Sequence, residues 1–207
     1  MPTLPTTQAD SAAFKARRSD VRAIVIGASA GGVDALLAIA RSLPADLTAP
    51  VLVVLHLPPD RSSGIAALLA PCCALPVDEA LDKAPILPGH VLFAPPDYHL
   101  LVEPTASGWA VALSADEPVR YSRPAIDPLF ESAAAAFGRQ LLAILLTGAS
   151  DDGSEGLLRV RQCGGIAWVQ DPASAAAATM PASALARAGA DAVLTLEQIC
   201  RGLSQLS

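Results

Sequence analysis

A serine, a histidine and a pair of aspartates stand at, or a few residues after, the ends of short apolar segments of the sequence. These residues are Ser29, His56 and the pair Asp151 and Asp152. When an alcohol, an imidazole and a carboxylate meet in a folded chain, the imidazole can take the proton of the alcohol while the carboxylate orients the imidazole. The residue types therefore predict a serine hydrolase, with Ser29 as nucleophile and His56 as general base.

The residues around Ser29 have the composition of a tight turn between a strand and a helix. Gly27 and Gly31 flank Ala28-Ser29-Ala30, which matches the G-x-S-x-G pattern of a nucleophile elbow. Small neighbours allow close backbone approach there, and the free N–H groups at the start of the following helix can hold an oxyanion. The same pattern is also typical of a loop that binds a phosphate group, so the short motif alone leaves a nucleotide- or phosphate-binding module open.

The order of the candidate residues argues against the α/β-hydrolase fold, and missing motif residues argue against a nucleotide-binding loop. The order is Ser29, His56 and then the aspartates, and no histidine follows His99, so the α/β-hydrolase order of serine, acid and histidine is not met. The dinucleotide fingerprint G-x-G-x-x-G is not met at Gly27, and the lysine of a P-loop is missing. Either aspartate could orient the base or cap the following helix. His90 and His99 are predicted to be structural.

The composition limits the partners and the compartment. The formal net charge is −6 and the pI is near 4.9, which argues against nucleic acid and anionic membranes as partners. No apolar run is long enough to cross a bilayer. The four cysteines form no C-x-x-C pair, so we expect neither a metal nor a cofactor. The polar N-terminal segment has no apolar signal region, and a cytoplasmic protein with reduced cysteines is predicted.

Four apolar segments of strand character alternate with segments of helical spacing. The predicted strands are 23–26, 51–55, 141–146 and 166–170. The predicted helices are 33–41, a segment through Leu69 capped by Ser62 or Ser63, 127–137, 155–162, 181–187 and 196–206. Such alternation produces a mostly parallel sheet with helices on both faces. Ligands bind at the carboxyl ends of these strands, where the candidate residues are predicted to meet.

The middle of the chain, from Leu75 to Leu113, is less regular and rich in short β-type segments. Residues 91–94 and 100–102 flank the turn Pro95-Pro96-Asp97 and are predicted to form an antiparallel hairpin, with 109–113 as a further strand. The predicted fold is α/β: a doubly wound, Rossmann-like, three-layer sheet with an antiparallel hairpin inserted. Residues 1–20 are predicted to be a disordered lead-in, and residues 21–207 one catalytic domain.

Five motifs resemble the catalytic domain of the chemotaxis protein-glutamate methylesterases, the CheB-type family. They extend over nearly all of the chain from Arg22 to Leu206, in the order of the family. The motifs are IGASAGG (26–32), HLP (56–58), LPGHVLFAP (87–95), RPAIDPLF (123–130) and LTGASDDG (146–153). Together and in this order they are highly specific.

The resemblance implies the roles of the site residues and the substrate. Ser29 would be the nucleophile, His56 the base and Asp152, the second aspartate of the pair, the acid. Backbone N–H groups near Ala30 and Ala149 would hold the oxyanion. The resemblance further implies hydrolysis of γ-glutamyl methyl esters on a methylated chemoreceptor or a related signalling protein, releasing methanol. Family members can also deamidate receptor glutamines.

The chain departs from the family pattern at three places. Ala30 stands where the family usually has threonine, and Ala149 where it usually has methionine, which bears on substrate specificity more than on the reaction type. The family commonly has an N-terminal receiver domain, whereas about twenty residues precede the first strand here. We therefore expect that the chain lacks gating of its own, is a fragment, or answers to a separate receiver or regulatory protein.

Two arginines precede the predicted helix 127–137. A methylated receptor region is acidic, so Arg123, and with it Arg120, is predicted to pair with substrate carboxylates, with a solvated loop as the alternative. A scaffold without catalysis, which keeps the fold for partner binding, is a further alternative. The full set of Ser29, His56 and Asp152 argues against that scaffold.

Overall fold

The computed structural model describes residues 20–56 and 64–206. Residues 1–19 of the predicted lead-in lie outside the described residues. The second and third positions of the HLP motif and the helix cap predicted at Ser62 or Ser63 also lie outside them.

A seven-stranded parallel sheet forms the centre of the described chain. In chain order the strands are β1 (Ala23–Ala28), β2 (Val51–Leu55), β3 (Val77–Glu79), β4 (Val91–Phe93), β5 (His99–Thr105), β6 (Gly108–Ser114), β7 (Leu141–Leu145), β8 (Ile166–Gln170) and β9 (Ala192–Leu194). The order across the main sheet is β3-β4-β2-β1-β7-β8-β9, with parallel pairing throughout. Connections run outward in opposite directions from β1 and β7, so a crevice is expected at their carboxyl ends.

Six α-helices of the described residues cover the two faces of this sheet. They are α1 (Gly32–Ser42), α2 (Ile65–Leu69), α3 (Ile126–Phe137), α4 (Ser154–Gln162), α5 (Thr179–Arg187) and α6 (Leu196–Leu203). Helices α1, α2 and α6 pack on one face, and α3, α4 and α5 on the other, where the β5–β6 pair also lies. The predicted doubly wound, three-layer fold is confirmed.

The central strands contribute side chains to both layers with a period of two. In β1, Ile24 and Ile26 belong to one core, and Ala23 and Val25 belong to the other. All four side chains are fully buried. Because both faces are covered by helices, such strands are continuous apolar runs, which is why they could be recognised in the sequence.

The antiparallel hairpin is not where it was predicted. β4 pairs in parallel with β2 and β3, so residues 91–94 are not the partner of 100–102. β5 instead pairs with β6, from His99 opposite Ser114 to Thr105 opposite Gly108. The prediction of a hairpin between 91–94 and 100–102 is therefore wrong. β4 is buried within the main sheet, and the prolines after it lie where the chain leaves that sheet.

The remaining differences lie at the ends and edges of elements. The short strands β3 and β9 were not predicted individually; they are the two edges of the main sheet, each only three residues long. Helix α5 begins at Thr179 rather than at Pro181, and α6 ends at Leu203 rather than at Leu206. Among the described helices, none has the length and hydropathy required to span a bilayer.

Candidate active site

Ser29 is the first residue after β1, at the carboxyl edge of the sheet. Its N–H donates to the carbonyl of Thr147, 2.9 Å away, and its own carbonyl accepts from Gly32 at 2.8 Å. Gly31 has φ +77°, and an added Cβ there would lie 2.6 Å from the Ala176 Cβ. The left-handed glycine lets the chain pass from strand to helix within three residues.

His56 occupies the equivalent position after β2, next to β1. Its N–H donates to the carbonyl of Ala28 at 3.0 Å, which continues the pairing of the two strands by one residue. The imidazole Nε2 lies 2.8 Å from Oδ2 of Asp152, and Nδ1 lies 3.4 Å from Oγ of Ser122. Because a carboxylate can only accept, Nε2 bears the proton and Nδ1 is the nitrogen free to act as base.

Asp152 is completely buried and accepts hydrogen bonds from the start of helix α3. Its Oδ2 accepts from the N–H of Ile126 at 2.6 Å, and its Oδ1 accepts from Asp127 at 3.1 Å and from Gly153 at 2.9 Å. Burial raises the pKa of Asp152, but hydrogen bonds from His56 and the Ile126 N–H lower it by more, so the pKa lies below its usual value. The carboxylate is therefore charged and can stabilise an imidazolium.

The two neighbouring aspartates have different partners. Asp151 is half-exposed and forms an ion pair with Arg120, with 2.5 Å between Oδ2 and Nη1. Asp152 alone contacts His56. Residue chemistry left the choice between these aspartates open, and the resemblance assigned the acid to Asp152; the geometry supports that assignment.

The structure brings His56 and Asp152 together, but it does not join Ser29 to them by a hydrogen bond. Within residues 20–56 and 64–206, Ser29 Oγ has no hydrogen-bond partner, and the base nitrogen of His56 faces Ser122 instead. The link between nucleophile and base remains a prediction. It is supported by the adjacent strand ends that position both residues.

Two peptide N–H groups near Ser29 fit the predicted oxyanion site. Ala30 and Ala149 are exposed, and within the described part of the chain their N–H groups donate to no acceptor. Thr147 was not singled out in the sequence; its Oγ1 donates to the Ala30 carbonyl at 2.8 Å and accepts from the Ala177 N–H at 2.8 Å. This threonine therefore holds the backbone that follows Ser29 against the backbone that precedes α5.

Arg123 is engaged within the protein. Its guanidinium donates to Oδ1 of Asp97 at 2.6 and 3.0 Å and to the carbonyls of Ala115 and Asp116 at 2.9 and 3.0 Å. These contacts support a structural role, so substrate binding by Arg123 stays a prediction without structural support. His99 is likewise structural: it is buried, accepts from the Ala125 N–H and contacts the carbonyl of Glu117.

Besides Thr147, sequence reasoning missed the groups that donate to Asp152 and the serine that contacts Nδ1 of His56. The donors at Ile126 and Asp127 are peptide groups, which have no signature in residue type. Ser122 lies in an irregular loop without a recognisable spacing to His56. The described residues contain no group of three or more histidine, cysteine or acidic side chains that could hold a metal ion.

The doubly wound sheet carries an imidazole–carboxylate pair and, at the end of a neighbouring strand, Ser29, which is the arrangement expected of a serine hydrolase of the α/β class. A family-level comparison agrees, because the sequence model described as CheB methylesterase matches residues 24–203. The chain belongs to the CheB methylesterase family.

Individual relatives support the same assignment. A protein of Leptospira interrogans is 41% identical over 177 residues, which cover 86% of this chain and 90% of the relative. A Pseudomonas aeruginosa protein, named protein-glutamate methylesterase/protein-glutamine glutaminase 2, is 41% identical over 187 residues, or 90% of this chain and 53% of its own.

A solved structure extends the agreement to three dimensions. The crystal structure of the Thermotoga maritima CheB methylesterase catalytic domain superposes with a TM-score of 0.86 at 32% sequence identity. The match covers 90% of this chain and 99% of that one. By family and fold, the chain is an enzyme of the protein-glutamate methylesterase class, as the motifs implied.

Proposed function

We propose that this chain hydrolyses γ-glutamyl methyl esters on a methylated chemoreceptor or a related signalling protein, and that it acts in the cytoplasm. The single observation that carries this proposal is the 2.8 Å contact between His56 Nε2 and the buried Asp152. His56 directly follows β2, as Ser29 directly follows the neighbouring strand β1, which supports the pairing of the two residues. The same attack on a glutamine side chain would release ammonia and make the enzyme a deamidase as well.

The reaction begins with transfer of the Ser29 hydroxyl proton to Nδ1 of His56 as Ser29 Oγ attacks the ester carbonyl. For this step, Ser29 Oγ must replace the Ser122 hydroxyl next to Nδ1. Catalytic hydrogen bonds commonly tighten only when substrate binds. Asp152 keeps the other nitrogen protonated and stabilises the imidazolium.

The tetrahedral intermediate then collapses to an acyl-enzyme. The negative oxygen is held by the N–H groups of Ala30 and Ala149, and the imidazolium returns its proton to the leaving methoxide, so methanol departs. Water, deprotonated by His56, attacks the acyl group, releasing the glutamate side chain and restoring the Ser29 hydroxyl.

Methanol release from a methylated receptor fragment tests this proposal. Ser29→Ala is expected to lower kcat by about 10⁴-fold or more, because the nucleophile is lost. Ser204→Ala is the matched control, since Ser204 is exposed at the end of α6 and its hydroxyl donates to the Arg201 carbonyl, away from the site. Its activity should equal that of the wild type.

Covalent labelling with a fluorophosphonate separates catalysis from a scaffold role. The wild type and Ser204→Ala should be labelled, and Ser29→Ala should not. Full methanol release by Ser29→Ala would contradict the assignment of the nucleophile. A wild-type protein that neither releases methanol nor becomes labelled would instead be a non-catalytic scaffold.

A further inference from the structure

A two-residue turn beside the active site has an unusual sequence for its conformation. Val119 and Ser122 exchange two backbone hydrogen bonds, of 3.1 and 2.9 Å, and form an isolated antiparallel bridge. The two residues between them, Arg120 and Tyr121, have φ of +51° and +63°. Turns with two left-handed central residues usually contain asparagine and glycine, because other side chains crowd the backbone in this conformation.

Folding stability offers no reason for Tyr121 at this position. Its side chain is fully exposed, at 103% of the reference value, and it is the most exposed aromatic residue of the described chain; Tyr98 follows at 44%. An exposed ring buries no apolar surface, and the left-handed backbone disfavours it further. Strained backbone that contributes nothing to the core is characteristic of functional positions.

The turn is tied to the active site on both sides of Tyr121. The preceding residue, Arg120, forms the ion pair with Asp151, which is the chain neighbour of Asp152. The following residue, Ser122, contacts Nδ1 of His56. The turn that carries Tyr121 is therefore fixed next to His56 and Asp152 at three points: the bridge, the ion pair and the contact with the imidazole.

We propose that Tyr121 is a specificity-determining residue that contacts the protein segment flanking the esterified glutamate of the substrate. The inference rests on the proposed function and adds the way in which a protein is distinguished from a small ester. A methyl ester occupies only the space at Ser29, whereas a ring at the rim reaches residues beside the ester. Tyrosine suits this task because a large contact area is fixed by only two side-chain torsions.

The test compares two substrates, a methylated receptor cytoplasmic fragment and the small ester N-acetylglutamate γ-methyl ester. Tyr121→Asn removes the ring with a residue that tolerates the left-handed conformation, and Tyr121→Phe keeps the ring. Tyr121→Asn should raise KM for the fragment about five- to tenfold, as for a moderate interface anchor, with kcat within about twofold. Its kcat/KM for the small ester should stay within about twofold, and Tyr121→Phe should resemble the wild type.

Val193→Ala is the control, because Val193 is a half-exposed apolar residue on the edge strand β9. It should leave both substrates unaffected. An unchanged KM of Tyr121→Asn for the fragment would overturn the proposal. An equal loss of kcat/KM on both substrates would also overturn it, because the turn would then act on Ser29, His56 and Asp152 rather than on the substrate protein. A wild type that releases methanol from neither substrate would instead refute the proposed function.

Discussion

Asp127 is a buried carboxyl group beside Asp152 that has no part in the proposed reaction. Its Oδ1 accepts from the N–H of Gly156 at 2.7 Å, and its own N–H donates to Asp152. Burial raises the pKa of Asp127 to about 7, and the charge of Asp152 adds to the rise, while the Gly156 N–H opposes it. At acidic pH Asp127 is a neutral acid next to a charged one.

This raised pKa makes stability depend on pH in a defined direction. The folded protein holds the Asp127 proton more tightly than the unfolded chain, so the stabilisation is complete below about pH 4 and is lost as pH rises toward 7. Asp127→Asn, which stays neutral, should match the wild type near pH 4 and exceed its free energy of unfolding by about 1–3 kcal/mol at pH 8.

Urea unfolding across this pH range measures the effect. Asp46→Asn, at an exposed position in the loop after α1, is the control and should follow the wild-type curve. Parallel pH curves for Asp127→Asn and the wild type would show that burial does not hold the Asp127 proton.

Residue types predicted the side chains of the site better than its backbone. Ser29, His56 and the aspartate pair could be singled out because they lie at or shortly after the ends of apolar strands, and parallel strands end at one edge. The choice of Asp152 over Asp151 came from the motif resemblance, and the catalytic roles of these residues stay predictions. The peptide donors of α3 and the contact of Ser122 depend on how a loop returns over the sheet. No local pattern specifies that path, so these features required the structure.

At the scale of elements, the close approach of β1 to α3 positions the acid. A Cβ added to Gly27 would lie 2.5 Å from Cγ2 of Ile126, the residue whose N–H holds Asp152, and 3.0 Å from Cδ1 of Leu145. The glycine therefore sets the distance between the strand that precedes Ser29 and the helix whose N–H groups bind Asp152.

Gly27→Ala should push α3 outward and weaken both folding and catalysis. We expect a loss of about 1–3 kcal/mol in the free energy of unfolding, typical of overpacking, together with a reduced kcat. Thermal unfolding and methanol release measure the two effects. Gly64→Ala is the matched control, since an added Cβ there meets no atom of the described residues within 4 Å. Equal stability and activity of the two variants would argue against a critical contact between β1 and α3.

The sequence predicted that a segment is a strand wherever both faces of the strand are buried. It did not predict which other strand each one pairs with. Val91–Phe93 and the β5 segment have the same apolar character, yet one joins the main sheet and the other a separate hairpin. Pairing depends on contacts between distant segments. Pro104 within β5 further weakened the strand signal, because proline cannot donate to a partner strand.

At the scale of the whole molecule, the net charge of −6 opposes an acidic partner. If the substrate is an acidic receptor segment, long-range repulsion slows its encounter with the enzyme, and salt screens that repulsion. Raising ionic strength from about 20 to about 150 mM should therefore raise kcat/KM for a receptor fragment about two- to fivefold.

A neutral small ester is the control for this salt effect, and its kcat/KM should not change. Steady-state methanol release at several salt concentrations provides the measurement. A decrease of kcat/KM with salt for the fragment would indicate that a local positive surface, rather than the overall charge, governs the encounter.

Three of the hydrogen bonds to Asp152 come from the main chain, at Ile126, Asp127 and Gly153. Every amino acid except proline supplies the same N–H group, so most codon changes at Ile126 and Asp127 leave these donors in place. A random-mutagenesis screen for inactive clones would therefore recover replacements of the carboxylate itself far more often than of its supports. Proline substitution at each position, which removes the N–H group, would show how much activity depends on each main-chain hydrogen bond to Asp152.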